Sequence, residues 1–408
     1  MKSICCKLKK MIKWMMIWMC FQGMICFVFE IPLSANTLET IKVGVQETND
    51  LSLTADSAIL MEAQTGKVLY EKDADRIVSP ASITKIMTLI LIFDAIQSGK
   101  IDYHDEVTTS EHAKSMGGSQ VFLETGEKQT VETLIKCIVI ASGNDASVCM
   151  AEYIAGSEET FVQMMNERAK GLGMENTVFL DCCGLNDSME HHTTARDVAV
   201  MSRELITKHP EIHHYSTIWM ENITHVTAAG SKEFTLANTN KLLRQYDWIT
   251  GLKTGSTSLA KYCLSATADK DGKKLIAVIM GAKDYKARFS EAATLLNYGY
   301  SILDIYQDNN SDLMQTLKVK NGTKEEVAII PENQFMYVCE KNERSSDITK
   351  TVELKKVIAP VRQGQIVGTV TYYIGNQPIG SVNILSSEEI RESGYMDYFK
   401  KMWYKYML

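Results

Sequence analysis

At 408 residues the chain is too long for one small module and suits two or three domains. Hydrophobic residues make up 45% and charged residues 23%, which excludes a largely disordered chain, and only 6 prolines exclude a proline-rich or collagen-like one. A formal net charge of −7 leaves no overall basic field, so nucleic acid is excluded as a partner on charge grounds.

The chain opens with Lys2, Lys7, Lys9, Lys10 and Lys13, then an uncharged apolar run from Trp14 to Phe29, then Leu33-Ser34-Ala35. This layout predicts a secretory signal peptide over residues 1–35. The run is shorter than the roughly eighteen apolar residues that span a bilayer. Residues 36–51 are polar and read as a linker.

From Ser57 to Glu71, two apolar runs flank Gln64-Thr65-Gly66-Lys67, a hairpin signal. Pro80 and Ser82 precede a run from Ile83 to Ile96 that is apolar nearly all round, which predicts a buried helix stopped at Ser98-Gly99. Residues 131–155 predict two helices broken at Ser142-Gly143-Asn144, and 158–172 and 194–208 two more. Ile249–Thr257, Tyr262–Ala268 and Leu275–Gly281 read as strands, the last two joined through Asp271-Gly272, and Lys286–Leu303 as a helix. Strands at both ends with helices between predict an α+β domain over 52–305, an antiparallel sheet with helices packed on it.

A polar stretch at Gln307–Asp312 marks a change of character. Ala328-Ile329-Ile330, Phe335–Val338 and Val367–Ile374, with turns at Asn321-Gly322 and Gly375-Asn376, predict a small all-β domain over 306–385. In the tail, 386–408, Tyr395, Phe399, Met402 and Tyr406 share one helical face with Met396, Trp403 and Met407 beside them. Asp397, Lys400, Lys401 and Lys405 lie on the other face, and Leu408 breaks the pattern. This mixture predicts an in-plane anchor on a membrane surface.

Of 10 cysteines, Cys5, Cys6, Cys20 and Cys26 lie in the leader. Cys137, Cys149, Cys182, Cys183, Cys263 and Cys339 give no disulfide framework and are expected as buried or free thiols. Cys182-Cys183 followed by His191-His192 offers zinc-type ligands, but adjacent pairs rarely aim both side chains at one ion, so no metal is expected. His104 and His225 read as surface residues, without a partner arrangement for a Ser-His-Asp hydrolase.

Ser82 and Lys85 are three apart at a helix start, so the hydroxyl and amine can meet. A serine needs a base beside it, and lysine serves when burial or a second cation keeps it neutral. Ser142, at a helix break, supplies a second hydroxyl that can relay a proton to a leaving group. Asn144 can orient Lys85 and hold a substrate backbone. In the strand Lys253-Thr254-Gly255, alternation puts Lys253 and Gly255 on one face. There the glycine lets a substrate approach, and Lys253 offers a positive charge that suits an anion and keeps Lys85 neutral. Ser256 follows with a backbone N–H suited to an oxyanion.

Ser-x-x-Lys, Ser-x-Asn and Lys-Thr-Gly in this order form the motif set of β-lactamases and penicillin-binding proteins. The chain resembles the low-molecular-mass penicillin-binding proteins, serine-type D-Ala-D-Ala carboxypeptidases of the peptidase S11 type. The resemblance rests on residues 79–88, 142–147 and 251–257, with Thr194-Ala195-Arg196-Asp197 and the stretch from Met280-Gly281 to Arg288. It covers 52–305 strongly, and the β-rich domain and amphipathic tail suit the family's usual arrangement.

The resemblance implies a penicillin-binding, β-lactamase-like transpeptidase fold and no cofactor. It implies Ser82 as nucleophile, Lys85 as general base, Ser142 as proton relay, and N–H groups of Ser82 and Ser256 as the oxyanion hole. Thr254 and Arg288 would take the substrate's terminal carboxylate. Peptidoglycan stem peptides and β-lactams are the implied partners, at the extracytoplasmic face of a bacterial membrane. The alternatives on this scaffold are a β-lactamase, whose deacylating glutamate has no counterpart within Asp181–Glu190, or a non-catalytic sensor.

Overall fold

The computed structural model describes residues 51–227, 230–339 and 343–407, with the side chains of Tyr404, Lys405 and Met407 left aside. The expected signal peptide, the linker up to residue 50, and the tail readings on Lys405, Met407 and Leu408 lie outside that description.

β1 (Ser57–Glu62) and β2 (Val68–Lys72) form the expected hairpin. A 3₁₀ turn over Ala81–Thr84 runs into α1 (Lys85–Gln97), which is buried nearly all round, as its sequence requires. The short strands β3 (Glu106–Thr108) and β4 (Lys128–Thr130) bracket α2 (Glu111–Ser115). Next come α3 (Val131–Ile140) and α4 (Asn144–Ala155), with the break at 141–143 where the sequence puts it.

α5 (Glu158–Gly171) and α6 (Ala195–Lys208) follow. The Thr194 hydroxyl caps α6 by accepting from the Asp197 N–H. After α7 (Ile212–Ser216), β5 (Met220–Thr227) and β6 (Gly230–Ala237) make a hairpin that the sequence reading missed. Its residues are mostly polar and mostly exposed, so no hydrophobic alternation marks it.

β7 (Ile249–Thr257), β8 (Lys261–Lys270) and β9 (Lys273–Ala282) precede α8 (Ala287–Ile302). β1, β2, β7, β8 and β9 form one antiparallel sheet in the order β2-β1-β9-β8-β7. β9 reads as a continuous apolar run because both faces of the sheet are covered. Ile276, Val278 and Met280 point into the helical core on one side, and Leu275, Ala277 and Ile279 into the core shared with α8 on the other. β7 is left at the edge, where the 3₁₀ turn packs against it.

The second part is β-rich. β10 (Ile305–Asp308), β11 (Thr316–Lys320), β12 (Glu326–Pro331), β13 (Phe335–Val338), β14 (Ile348–Leu354), β15 (Val357–Ile358), β16 (Ile366–Ile374) and β17 (Gln377–Ser386) follow in the chain. Six of them form a sheet ordered β14-β16-β17-β12-β11-β15, and β10 pairs with β13. Phe335 stacks on the buried Tyr372 with ring centroids 3.7 Å apart. β14 escaped the sequence reading because it is an edge strand exposed over most of its length, and β17 because Pro378 and Gly380 interrupt its pattern.

The chain closes with the amphipathic helix α9 (Tyr395–Met407). On its aromatic side Tyr395, Phe399, Met402, Trp403 and Tyr406 are all exposed. On the other side the Lys401 ammonium donates to the Gly322 carbonyl at 2.6 Å, so the polar face turns toward the β-rich part.

Candidate active site

In a 3₁₀ turn, residues i and i+3 eclipse. Ser82 and Lys85 therefore meet, with Nζ 3.0 Å from Oγ. The Lys85 side chain is fully buried and also donates to Asn144 Oδ1 and to the Cys183 carbonyl, each at 2.6 Å. Burial pushes the Lys85 pKa down, against opposing fields from Cys183, Cys182, Asp181 and Asp145. An amine that gives two protons to Asn144 and Cys183 has its third position aimed at Ser82. When neutral, it accepts the hydroxyl proton there.

Two glycines hold the serine turn in place. A Cβ on Gly184 would lie 1.8 Å from the Ala81 carbonyl oxygen, and the residue has φ +77°. A Cβ on Gly255 would lie 2.9 Å from the Pro80 carbonyl oxygen. The serine turn of the protein itself thus makes one close approach at Gly255, which also lines the cleft. Ala81 at φ 47° and Ser142 at φ 61° are non-glycine residues in the left-handed region, one on each side of the cleft.

Across the cleft, Lys253 Nζ donates to Ser142 Oγ at 2.8 Å and to the Thr254 carbonyl at 3.1 Å. Lys253 is 1% exposed. Burial, then repulsion from Lys85 and Arg288, pushes its pKa well down. Lys253 thus sits where a positive charge is disfavoured, although its Nζ is placed as a donor to Ser142 and Thr254.

Asn144 lies behind the cleft. Its Nδ2 donates to the Gly117 carbonyl at 2.7 Å and its Oδ1 is taken by Lys85, so its amide orients the lysine. Asp145, which the sequence reading left without a role, accepts from the N–H groups of Val121 and Leu123, both at 3.1 Å. Those bonds fix the loop that carries Gly117. Only the alternation of small and polar residues after Ser142 hinted at it.

The cleft has a volume of about 290 Å³. Of the expected residues Ser82, Ser142, Thr254, Gly255, Ser256 and Arg288 line it, while Lys85, Asn144 and Lys253 stand behind the wall. Arg288 is 5% exposed. It donates from Nη1 to the Gly255 carbonyl at 3.2 Å, and the rings of Tyr262, Tyr285 and Phe289 surround its guanidinium at 5.6, 4.7 and 4.7 Å. Its buried Nε has no protein partner. Ser119, Thr239, Lys241 and Tyr285 also line the cleft and were not singled out from sequence.

The six described cysteines are buried free thiols, as expected. Both ring nitrogens of His191 are engaged, with Nε2 2.8 Å from Thr84 Oγ1 and Nδ1 accepting from the Leu180 N–H at 3.1 Å. His225 departs from the surface reading. It is buried, with Nδ1 2.8 Å from the buried Glu127 carboxylate. Alternation along β5 turns it inward.

A helix-flanked antiparallel sheet with these three motifs around one cleft defines the penicillin-recognising serine enzymes. Comparison with known proteins narrows this. Residues 44–284 match the D-alanyl-D-alanine carboxypeptidase family, peptidase S11, and residues 301–392 match the C-terminal domain of penicillin-binding protein 5. The D-alanyl-D-alanine carboxypeptidase DacF of Bacillus subtilis is 39% identical over 360 residues, 87% of this chain and 91% of that protein. The D-alanyl-D-alanine carboxypeptidase DacA of Escherichia coli is 32% identical over 376 residues, 86% of this chain and 88% of that one. The crystal structure of penicillin binding protein 5 from Haemophilus influenzae superposes with a TM-score of 0.67 at 30% identity, covering 83% of this chain and 98% of that chain. The chain belongs to the serine-type D-alanyl-D-alanine carboxypeptidase family, the low-molecular-mass penicillin-binding proteins.

Gly184 gives a direct check on the seating of the serine turn. Gly184→Ala adds left-handed strain of about 1–2 kcal/mol and a clash with the Ala81 carbonyl. The expected outcome is a lower thermal midpoint together with slower covalent labelling by a fluorescent penicillin. Unchanged labelling would show that the turn is held by other contacts.

Proposed function

We propose that the enzyme removes the terminal D-Ala from peptidoglycan stem peptides through an acyl-enzyme on Ser82. The observation that carries this is the buried Lys85 amine 3.0 Å from the Ser82 hydroxyl. Lys85 takes the hydroxyl proton as Oγ attacks the carbonyl carbon of the penultimate D-Ala. The resulting oxyanion is received by the N–H groups of Ser82 and Ser256. A preorganised donor of this kind is worth about a hundred- to a thousandfold in rate.

Thr254 and Arg288 take the terminal carboxylate of the peptide. That carboxylate supplies the negative charge missing around Lys253 and restores the lysine's proton. Ser142 then gives its proton to the departing amine and is reprotonated from Lys253, to which it is already bonded. The C–N bond breaks, D-Ala leaves, and water hydrolyses the ester to regenerate Ser82. Acylation by a β-lactam uses the same attack on the lactam carbonyl.

The loop 181–187 favours a peptidase over a β-lactamase. Asp181 spends its carboxylate on the N–H groups of Cys183, Gly184 and Asn186, and Asp187 spends its own on Thr257, Ser258 and the Leu259 N–H. These acids hold the loop together and are committed away from a water at Ser82.

The protein acts outside the cytoplasm after export, with domains at 52–305 and 306–385 and α9 as an in-plane membrane anchor. The outward aromatic face of α9 and the inward Lys401 support the anchor. No helix among the described residues is long and apolar enough to cross a membrane.

Three outcomes are expected. The protein from residue 36 to 388 releases free D-Ala from a peptide ending in D-Ala-D-Ala, and Ser82→Ala abolishes the release; release that survives the substitution overturns the nucleophile.

Penicillin labelling rises with pH as Lys85 loses its proton. Because burial lowers the Lys85 pKa, this limb lies below the ordinary lysine range. Lys85→Arg, which cannot deprotonate, is expected to show no such limb. Deletion after Ser387 moves the mature protein from the vesicle pellet to the supernatant in a co-sedimentation assay with anionic vesicles; retention in the pellet excludes the anchor.

A further inference from the structure

Lys241 is a cation at the rim of the cleft that the catalytic motifs leave without a task. It opens the 3₁₀ turn Lys241–Arg244, immediately after Asn238-Thr239-Asn240. Two buried asparagines make this segment rigid. Asn238 Nδ2 donates to the carbonyls of Ser216 and Ile218 at 3.2 and 2.8 Å, and Asn240 Nδ2 donates to the Gly251 carbonyl at 2.9 Å. The second bond ties the segment to β7 itself. Thr239 completes the link, with its Oγ1 2.8 Å from Thr254 Oγ1. The platform that carries Lys241 is thus fastened to the Thr254 end of the cleft.

The Lys241 ammonium lies over the Trp219 ring, 4.6 Å from its centroid, and Arg244 shares the same ring at 5.4 Å. The ring holds the long side chain without neutralising it. Lys241 forms no ion pair among the described residues. The cleft lining contains Lys241 and Arg288 and no carboxylate. Asp187, near the far end of β7, is committed to Thr257 and Ser258. Arg288 is nearly buried, partly spent on the Gly255 carbonyl and ringed by aromatics, so it reads a carboxylate only at short range. The half-buried Lys241 acts farther out.

We propose that Lys241 is a substrate-binding residue that recognises the free terminal carboxylate of the peptide from the cleft rim, so that the enzyme prefers a chain ending in an acid over one ending in an amide. This rests on the carboxypeptidase reading above and extends its carboxylate site by one residue. The ammonium attracts the incoming carboxylate, and Thr254 and Arg288 receive it. The attraction is present in the ground state and the transition state alike, so it acts mainly through KM.

The test compares kcat/KM of the full mature enzyme for two peptides, one ending in D-Ala-D-Ala and its C-terminal carboxamide, at low and high salt. Each peptide is made with a lysine and with a diamino diacid at the third position. In Lys241→Gln, kcat/KM for the acid is expected to fall about fivefold, the scale of one exposed charge pair, with little change for the amide. The acid-over-amide preference falls more steeply with salt in the wild type than in the variant, which keeps only the more buried Arg288. Lys241→Arg keeps the preference, and the amide peptide serves as the internal control for folding.

An equal loss for acid and amide overturns the proposal. So does a loss that follows the diamino diacid and ignores the C-terminus, which would assign Lys241 to the stem-peptide side chain. No D-Ala release from any peptide by the wild type overturns the carboxypeptidase reading itself and is distinguishable from both.

Discussion

The site depends on one amine held out of water. Lys85 has no exposed surface and no bonded carboxylate, and its hydrogen-bond partners are an amide oxygen, a main-chain carbonyl and the Ser82 hydroxyl. A buried ammonium with only neutral acceptors is costly, and that cost pushes the Lys85 pKa down. This is the environment that the proposed role of Lys85 as a base requires. Each neighbouring element serves the arrangement. α1 is apolar on all sides, so it sits inside the domain and carries Lys85 with it. The break between α3 and α4 brings Asn144 to the amine. The segment after α5 brings the Cys183 carbonyl.

The same constraint accounts for the tight packing around the serine turn. The turn has to lie against β7 closely enough for Ser82 to share a cleft with Ser256, and a Cβ at Gly255 would intrude on that contact. Gly184 closes the other side of the turn in the same way. The strained backbone at Ala81 and Ser142 is held by these contacts and by the Asp145 bonds to the 121–123 loop. Order at the two hydroxyls therefore rests on two glycines and on the buried Asp145 carboxylate.

Much of this was legible in the sequence, because the chemistry sits on local spacing. Ser82 and Lys85 need only three residues and a helical start to meet, and β7 to β9 announce themselves by apolar runs around Asp271-Gly272. What was hidden depends on contacts between distant segments. Nothing local says that the Cys183 carbonyl will accept from Lys85, 98 residues away, or that Gly184 will face Ala81. The β5–β6 hairpin was missed because its strands are solvated on most positions. For the same reason His225 read as a surface residue, although its partner Glu127 waits 98 residues upstream. The all-round hydrophobicity of α1 showed burial but could not show that a lysine would be buried with it.

The two lysines divide the electrostatic work unequally. Acidic neighbours support the charge of Lys85 in part, through Asp145 and Asp181, whereas Lys253 has Lys85 and Arg288 against it. Two ammonium groups in one dry site raise each other's free energy, which adds to the downward push on the Lys253 pKa. A carboxylate arriving at Thr254 reverses the balance on the Lys253 side. Its charge would favour the proton on Lys253 and, by the same repulsion, the neutral form of Lys85. In the proposed mechanism, substrate binding and activation of Ser82 are therefore coupled through the charge of one carboxylate.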